Sequence, residues 1–379
     1  MNKEPTSIVD FLSEIEDPRK KTINKRHEFI DVLVIALCGM LSSADDWVSI
    51  AQYGRSKEAW FSEILELPNG IPSHDTFNRI FSQIDPDQFM NCFSRWIKTI
   101  RNIFEREHIS IDGKTLRRSF DGDKQTSIHM VSAWSNENNL VLAQIKTDEK
   151  SNEITAIPEL IRSMFLDNCL ISIDAMGCQK LIAESIINQK GHYLLAVKDN
   201  QPNLNKAIKS TLEEVMETNT SDFESDFFET SENNRDRNEI RKCWVTTDLR
   251  KLDMVDDWKN LKQIAVVESH RTIKEKTSIE CRYYICSDKL SAEELLHSSR
   301  VHWGIENKLH WVLDMGFRED ESRVRKENGA ENLARLRHIA LNLLKQDTTK
   351  KMGIKNKRLT AGWDMDYLQH LLNVDIVES

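Results

Sequence analysis

Apolar runs of strand length begin near residue 108 and soon alternate with segments of helical periodicity, which restricts the fold more than any other feature of the chain. The first three runs lie at residues 108–112, 127–134 and 140–147, and their short connections predict an antiparallel meander. Two later runs, residues 169–174 and 192–197, alternate with predicted helices, which is typical of parallel strands. We therefore expect an α/β fold with a mixed sheet and helices on both of its faces.

Segments of different composition flank this sheet pattern. Residues 7–105 show mostly helical periodicity, which predicts an all-helical N-terminal domain. Residues 222–288 are strand-like and polar, as expected for a β-rich insertion into the α/β fold, and the basic segment after Lys350 is predicted to be poorly ordered. The expected domains are a helical N-terminal domain in 1–105, the first part of the core in 106–205, the β-rich insertion in 206–288, the second part of the core in 289–347 and a basic C-terminal tail in 348–379.

A turn in the N-terminal segment separates two of its predicted helices. Pro72 and Ser73 precede a helix that begins at His74, where Ser73 is a suitable N-cap. A short helix, a turn and a second helix resemble the helix-turn-helix, a motif that places its second helix in the major groove of DNA. The same pattern occurs in helical domains that bind no DNA, so the sequence leaves both interpretations open.

The overall charge argues mildly against a nucleic-acid partner, because affinity for phosphates comes from clustered Lys and Arg. The chain of 379 residues carries a formal net charge of −9. The charge is uneven, however, since residues 19–26 are rich in Lys and Arg whereas residues 213–239 are strongly acidic. Only the first of these two segments is suited to contact DNA.

The cysteines and the apolar segments indicate a cytoplasmic protein. The 7 cysteines are odd in number and lack framework spacing, which favours free thiols in a reducing compartment. The N-terminus has no apolar signal segment, and the longest apolar run, residues 32–41, is too short to span a bilayer. We therefore expect no membrane partner.

Two of the predicted strands end in an aspartate that is followed by a turn of small residues. Asp112 comes after Ile109-Ser110-Ile111, and Asp174 comes after a similar apolar strand. If these strands are neighbours, the two carboxylates lie together and repel each other unless they share a cation. Oxygen ligands suit Mg²⁺ or Mn²⁺. The alternative is that each aspartate simply caps a turn.

A third acid lies on a long predicted helix. Ser291 with Glu294 fits a capping box, and the helix is expected to run to about Leu313. At helical spacing Glu306 shares one face with His302 and His310. Three carboxylates around two metal ions about 3.5–4 Å apart are suited to in-line phosphoryl transfer on a DNA phosphodiester. Zinc binding by the two histidines is a weaker alternative, because the order HEXXH is absent.

Several blocks of sequence carry a family resemblance that covers nearly the whole chain. The chain resembles the DDE transposases of bacterial insertion sequences, and more narrowly the group of H-repeat-associated proteins. The matching blocks are residues 11–35, 70–81 (GIPSHDTFNRIF), 111–118 (IDGKTLRR), 173–179 (IDAMGCQ), 193–201 (YLLAVKDNQ) and 300–320 (RVHWGIENKLHWVLDMGFRED).

This resemblance implies an RNase H-like core in which Asp112, Asp174 and Glu306 are the catalytic residues and the ligands of two Mg²⁺ or Mn²⁺ ions. It implies DNA as the partner, both the terminal inverted repeats of an element and the target DNA, with a homodimer in the synaptic complex and a location at the nucleoid. The expected activity is cleavage and strand transfer at the ends of an insertion sequence. A related DNA nuclease, or an inactive DNA-binding remnant, is the alternative.

The chain departs from the resemblance around the glutamate. Related transposases with such insertions carry the signature Tyr-x2-Arg-x3-Glu-x6-Lys, whose places are held here by Ser299, His302, Glu306 and Leu313. His302 is therefore a candidate for the phosphate contact of the arginine. The expected DNA-binding residues are Lys114, Arg117, Arg118, Lys198, Gln201, Arg300, His302 and Lys308, each of which has an ordinary charged surface or polar turn as its alternative. Three further acids, Asp314, Glu319 and Asp320, are expected to form salt bridges with nearby arginines.

Overall fold

The computed structural model describes most of the chain in seven stretches. They comprise residues 5–20, 25–119, 127–147, 153–218, 224–234, 237–274 and 276–372.

Six helices precede the first strand in this described part of the chain. They are α1 (Ile8–Ser13), α2 (Phe29–Leu41), α3 (Trp47–Ser56), α4 (Glu58–Ile64), α5 (His74–Gln83) and α6 (Pro86–Ile100). Nearly all side chains of α2 are buried, which explains its continuous apolar sequence. Ser73 caps α5 by accepting a hydrogen bond from the backbone N–H of Thr76, as its sequence predicts.

A single nine-stranded sheet forms the centre of the molecule, in the order β3-β2-β1-β4-β5-β9-β8-β7-β6. The strands are β1 (His108–Thr115), β2 (His129–Ser135), β3 (Leu140–Thr147), β4 (Leu170–Ile173), β5 (His192–Val197), β6 (Ser225–Asn234), β7 (Arg237–Thr246), β8 (Gln263–Ile273) and β9 (Lys276–Cys286). β1, β2 and β3 form the predicted antiparallel meander, while β4 pairs in parallel with both β1 and β5. The mixed sheet expected from the sequence is confirmed.

Helices cover both faces of this sheet. The later helices that pack against the strands are α7 (Glu153–Arg162), α8 (Lys180–Asn188), α9 (Pro202–Thr218), α10 (Ala292–His302) and α12 (Gly329–Gln346). The helices α11 (Trp311–Phe317), α13 (Ile354–Trp363) and α14 (Met365–Leu372) pack mainly against other helices. Ile171 and Leu195 belong to the same core as α8, whereas Leu170 and Leu194 pack with Leu295 of α10. Because successive side chains of a strand point to opposite faces, α8 and α10 lie on opposite sides of the sheet.

The β-rich segment expected at 206–288 extends the central sheet instead of forming a layer of its own. Its last strand, β9, pairs antiparallel with β5. Outward from β9 the strands β8, β7 and β6 follow in the reverse of their order along the chain. The sequence predicts β7, β8 and β9 but not β6. The reason is that β6 (SDFFETSENN) is mostly polar and lies at the sheet edge, where alternation of apolar residues is weak.

The basic tail expected to be poorly ordered folds into α13 and α14. Two of its cations, Lys357 and Arg358, are internal: Arg358 donates to the carbonyl oxygen of Met40 at 2.9 Å and to Asp45 at 2.6 Å. Lys357 donates to the carbonyl oxygen of Leu344 at 2.9 Å. The expectation of poor order was wrong for residues 354–372, because internal cations of this segment bind acceptors elsewhere in the fold. Within the described residues, none of the helices has the length and apolar character needed to cross a membrane.

Candidate active site

Asp112 and Asp174 lie side by side. The prediction that Asp112 ends its strand was wrong, because β1 continues to Thr115 through its pairing with β2, whereas β4 does end at Ile173. Ile111 of β1 pairs with Ile173 of β4, so the residues that follow them, Asp112 and Asp174, occupy equivalent positions on parallel neighbours about 4.8 Å apart. Ile111 and Ile173 belong to the core under α8, so the next side chains along each strand point toward the face covered by α10. The adjacency expected from the sequence therefore exists at this sheet edge.

Asp174 is also fixed by its own turn. Its Oδ1 accepts hydrogen bonds from the backbone N–H of Met176 at 3.0 Å and of Gly177 at 3.4 Å, at the start of a 3₁₀ turn (Ala175–Gly177). Asp174 therefore also caps a turn, which was the alternative interpretation of its position. The two roles are compatible, because Asp174 Oδ2 is not used by the cap.

Asp112 is held in an unfavourable environment for a charge. Burial, and then the neighbouring Asp174 carboxylate, raise the pKa of Asp112 to about 7, and Glu153 and Glu306 add to the effect. The backbone N–H of Gly113 opposes them. A shared cation would remove this repulsion, and oxygen donors of this kind fit Mg²⁺ or Mn²⁺.

The helix that carries Glu306 begins as the sequence predicts but is not α-helical along its whole length. Ser291 and Glu294 form the predicted capping box at the start of α10. After His302 the helix widens into a π-helical segment (Glu306–His310), in which the N–H of Trp311 donates to the carbonyl of Glu306, and it continues as α11 to Phe317. Such segments are frequent at functional sites. Glu306 is the first residue of this wider turn.

Two histidines tie this helix to the aspartate strands. His302 Nδ1 lies 2.9 Å from the hydroxyl of Ser172, two residues before Asp174. His310 Nδ1 lies 3.5 Å from Asp112 Oδ2. The helix therefore passes from β4 to β1, and Glu306 lies between its two anchored histidines. The Glu306 side chain is exposed, and it forms no hydrogen bond or ion pair with any residue in the described stretches.

The side chains do not form a closed metal cage as they stand. Among the residues that the structure describes, no three His, Cys, Asp or Glu side chains are grouped closely enough to hold a metal ion. Asp112 and Asp174 are adjacent, and Glu306 is near enough to influence the pKa of Asp112. What the structure contains is therefore a pair of fixed carboxylates and a third, exposed carboxylate on the helix beside them.

A fourth acid near Asp112 was missed in the sequence. Glu153, the first residue of α7, is buried and hydrogen-bonded to His129 of β2, and both side chains press against Gly113. Any Cβ at residue 113 would collide with these two groups, which explains the glycine after Asp112. No sequence signal identifies Glu153, because it stands at a helix start where acids are common.

Lys114 is occupied inside the protein. Its side chain is 12% exposed, and its Nζ lies 2.5 Å from Asp314 and 2.7 Å from Glu319. The three acids expected to pair with arginines do form ion pairs, but their central partner is this lysine; Arg117 lies 3.3 Å from Asp320. This position does not favour the DNA contact expected for Lys114.

The other expected DNA-binding residues differ in exposure: five are exposed to solvent, whereas Gln201 and His302 are partly or fully buried. The exposed ones are Arg117, Arg118, Lys198, Arg300 and Lys308. Arg300 pairs with Glu232 at 2.5 Å, and Gln201 donates to the carbonyl of Cys178 at 2.9 Å. His302 is 8% exposed and bonded to Ser172, and burial lowers its pKa to about 4. This buried position, with Nδ1 next to Ser172, does not favour the phosphate contact expected for His302.

Comparisons with known proteins identify the family of the chain. A family model described as Transposase DDE domain matches residues 103–343, and one described as DDE_Tnp_1-associated matches residues 9–97. "Putative transposase YncI" of Escherichia coli O157:H7 is 42% identical over 97% of this chain and 94% of that protein. "H repeat-associated putative transposase YhhI" of Escherichia coli (strain K12) is 40% identical over 96% of this chain and 97% of that protein.

Among solved structures, a piggyBac transposase synaptic complex with hairpin DNA matches 98% of this chain and 80% of that chain, with a TM-score of 0.46 and 11% identity. The family model and the two relatives each cover more than half of the sequence described above. The chain therefore belongs to the DDE transposase family, in the group of H repeat-associated transposases.

Proposed function

We propose that this protein cleaves DNA at the ends of an insertion sequence and joins the resulting 3′-hydroxyls to target DNA. Asp112, Asp174 and Glu306 are the proposed catalytic residues and the ligands of divalent metal, Mg²⁺ or Mn²⁺. The observation that supports this most is the parallel register of β1 and β4, which sets two aspartates side by side beneath the helix of Glu306.

Each of these carboxylates is positioned by a different element. The ladder between β1 and β4 fixes Asp112, and the 3₁₀ turn fixes Asp174. Glu306 is held by the helix between His302 and His310, with its carboxylate in solvent. When bound, divalent metal supplies charge neutralisation at the scissile phosphate and activation of the attacking hydroxyl.

The RNase H-like core, the DNA contacts and the homodimer are further parts of the proposed function. β1 to β5, in the order β3-β2-β1-β4-β5, would form the RNase H-like core, and exposed Arg117, Arg118, Lys198 and Lys308 would contact DNA phosphates. Transposition handles two DNA ends together, so the active species would be a homodimer on paired terminal repeats.

The test is cleavage and joining of labelled DNA that carries the inverted repeats flanking the reading frame. Asp112→Asn and Glu306→Gln should each lower the cleavage rate at least about a hundredfold, because a lost metal ligand removes several kcal/mol of transition-state stabilisation. Chelation of divalent metal should abolish cleavage, and Mg²⁺ or Mn²⁺ should restore it. Glu293→Gln, which changes an exposed acid in the first turn of α10, is the matched control and should leave the rate unchanged. Cleavage that survives Asp112→Asn rules out the assignment.

A further inference from the structure

The outer half of the β-rich extension presents a polar face that α10 does not cover. Strands β7 to β9 are 10 to 11 residues long, whereas α10 has 11 residues and so spans about half their length. Cys243 and Val267 pack under α10. The side chains that continue the same face beyond them are Arg237, Glu239 and Arg241 of β7, Ser269 and Arg271 of β8, and Ser278, Glu280 and Arg282 of β9.

Positive charge is in excess on this face. Arg237, Arg241 and Arg271 all lie against the one carboxylate of Glu239. Arg241 also lies 3.5 Å from Glu232, which Arg300 of α10 contacts at 2.5 Å. Four guanidinium groups thus share two carboxylates. Burial, and then repulsion from Arg300, lower the pKa of Arg241, and its Nη1 faces Glu232 at 3.5 Å without forming a hydrogen bond.

These arginines line a groove that leads to the proposed active site. The arginine groove, defined by Arg237, Arg241, Arg271, Arg282 and Arg300, has a volume of about 520 Å³ and reaches Trp303 and Glu306 at its inner end. Arg282 lies 4.4 Å from the ring centre of Trp303, which holds its guanidinium plane beside the helix of Glu306. A row of cations that ends at a phosphoryl-transfer site is suited to a polyanion that passes through it.

We propose that the arginine groove binds the phosphate backbone of the DNA strand that enters or leaves the active site. This inference rests on the proposed function and adds residues of the β-rich extension to its substrate site. Phosphates placed between Arg237, Arg271 and Arg300 neutralise the two uncompensated charges and give each shared guanidinium a second acceptor. The outer strands β6 to β9 then serve as a rigid DNA-binding arm built into the same sheet as Asp112 and Asp174.

The test measures binding of a fluorescein-labelled duplex of mixed sequence to the full chain in EDTA, across a range of salt concentrations. The double variant Arg237→Gln, Arg271→Gln leaves Glu239 paired with Arg241, and both changed residues are about half exposed. The affinity should fall roughly tenfold or more, and the slope of log K against log salt should fall by roughly 2, because two phosphate contacts are lost. Arg237→Lys, Arg271→Lys keeps the charge and should retain most of the slope.

The control is Lys180→Gln, Lys259→Gln, which removes two exposed cations that pair with Asp257 and Glu184 near α8, on the opposite side of the sheet. It should bind DNA as the unaltered protein does. Wild-type affinity and slope in the double glutamine variant overturn the inference, as does an equal loss in the lysine variant. EDTA prevents cleavage, so the binding result does not depend on catalysis. If the proposed function is wrong, the unaltered protein would bind DNA in EDTA but would not cleave it when Mg²⁺ or Mn²⁺ is present.

Discussion

Lys114 stabilises a buried cluster of acids directly behind the proposed active site. Its ammonium group lies within hydrogen-bond distance of Asp314 and Glu319, and Glu319 in turn lies 3.7 Å from the buried Arg337. Burial disfavours the charge of Lys114, but Glu319 and Asp314 raise its pKa above the usual range. The cluster connects the strand of Asp112 to the end of α11 and to α12.

Replacement of Lys114 by Met should destabilise the fold by about 3–5 kcal/mol, because it removes the nearest cation from the buried Glu319 and from Asp314. Arg117→Met is the matched control: its side chain is 79% exposed, and the loss should stay within about 0.5 kcal/mol. Urea unfolding of both variants measures the difference. Equal stability of the two would show that Lys114 is not needed to compensate these acids.

The burial of Lys114 was not predictable from its neighbours in the sequence. A basic residue next to a strand-end aspartate has the pattern of a surface contact, and its partners follow 200 and 205 residues later. The sequence predicted that Asp112 and Asp174 lie together only if their strands are neighbours, and the parallel pairing of β1 with β4 meets that condition. The fourth acid, Glu153, comes from a third segment whose approach to Gly113 depends on the packing of α7.

At the scale of elements, a buried hydrogen-bond chain sets the position of the Glu306 helix. Ser172 lies 2.7 Å from His108 Nε2 of β1 and 2.9 Å from His302 Nδ1 of α10. Asn136, in the turn between β2 and β3, donates to Ser110 at 2.9 Å. We therefore predict that His302, which lies in the place where related transposases carry an arginine, positions the helix through its contact with Ser172.

His302→Ala should lower the cleavage rate by about a hundredfold with unchanged DNA affinity, because a small displacement of Glu306 is enough to disturb the reacting geometry. His302→Asn, whose amide can still reach Ser172, should restore much of the rate. Binding in EDTA and cleavage in Mg²⁺ are measured on the same preparations. If DNA affinity falls in parallel with the rate, His302 contacts the phosphate after all.

The helical elements were easier to predict than the irregularity within them. The capping box at Ser291 and the position of Glu306 on a long helix follow from local sequence. The π-helical segment does not, because the extra residue in its turn is accommodated by contacts of His302 and His310 with strands far away in sequence. The polar strand β6 likewise depends on a distant partner, because only its pairing with β7 identifies it as a strand.

At the scale of the whole molecule, the last helices close the fold onto the first ones. The carboxylate of Asp347, at the end of α12, accepts from Tyr367 of α14 at 2.8 Å and lies 2.9 Å from Lys357 of α13. Burial opposes its charge, but hydrogen bonds from Thr349, Lys357 and Tyr367 keep the pKa of Asp347 well below its usual range. Basic composition alone predicted a loose tail, since sequence does not reveal internal acceptors.

The stability of this closure should depend on pH. A carboxyl group whose pKa is depressed in the folded state stabilises the fold above its unfolded pKa, near 4, and this contribution is lost as the pH falls through the folded value. Asp347→Asn should cost about 2 kcal/mol at neutral pH, because hydrogen bonds to a charged group are removed, and should lose less on acidification. Asp366→Asn, an exposed acid on α14, is the control. Parallel pH profiles of Asp347→Asn and the unaltered protein would contradict this role.

At the same scale, the proposed catalysis requires that Asp112, Asp174 and Glu306 bind the same metal. Anomalous diffraction from crystals grown with Mn²⁺ and DNA measures this directly. We predict a peak between Asp112 and Asp174, with carboxylate oxygens of both within about 2.0–2.3 Å and Glu306 completing the site. A well-occupied Mn²⁺ site elsewhere, with these three side chains free of metal in a complex that cleaves its DNA, would contradict it.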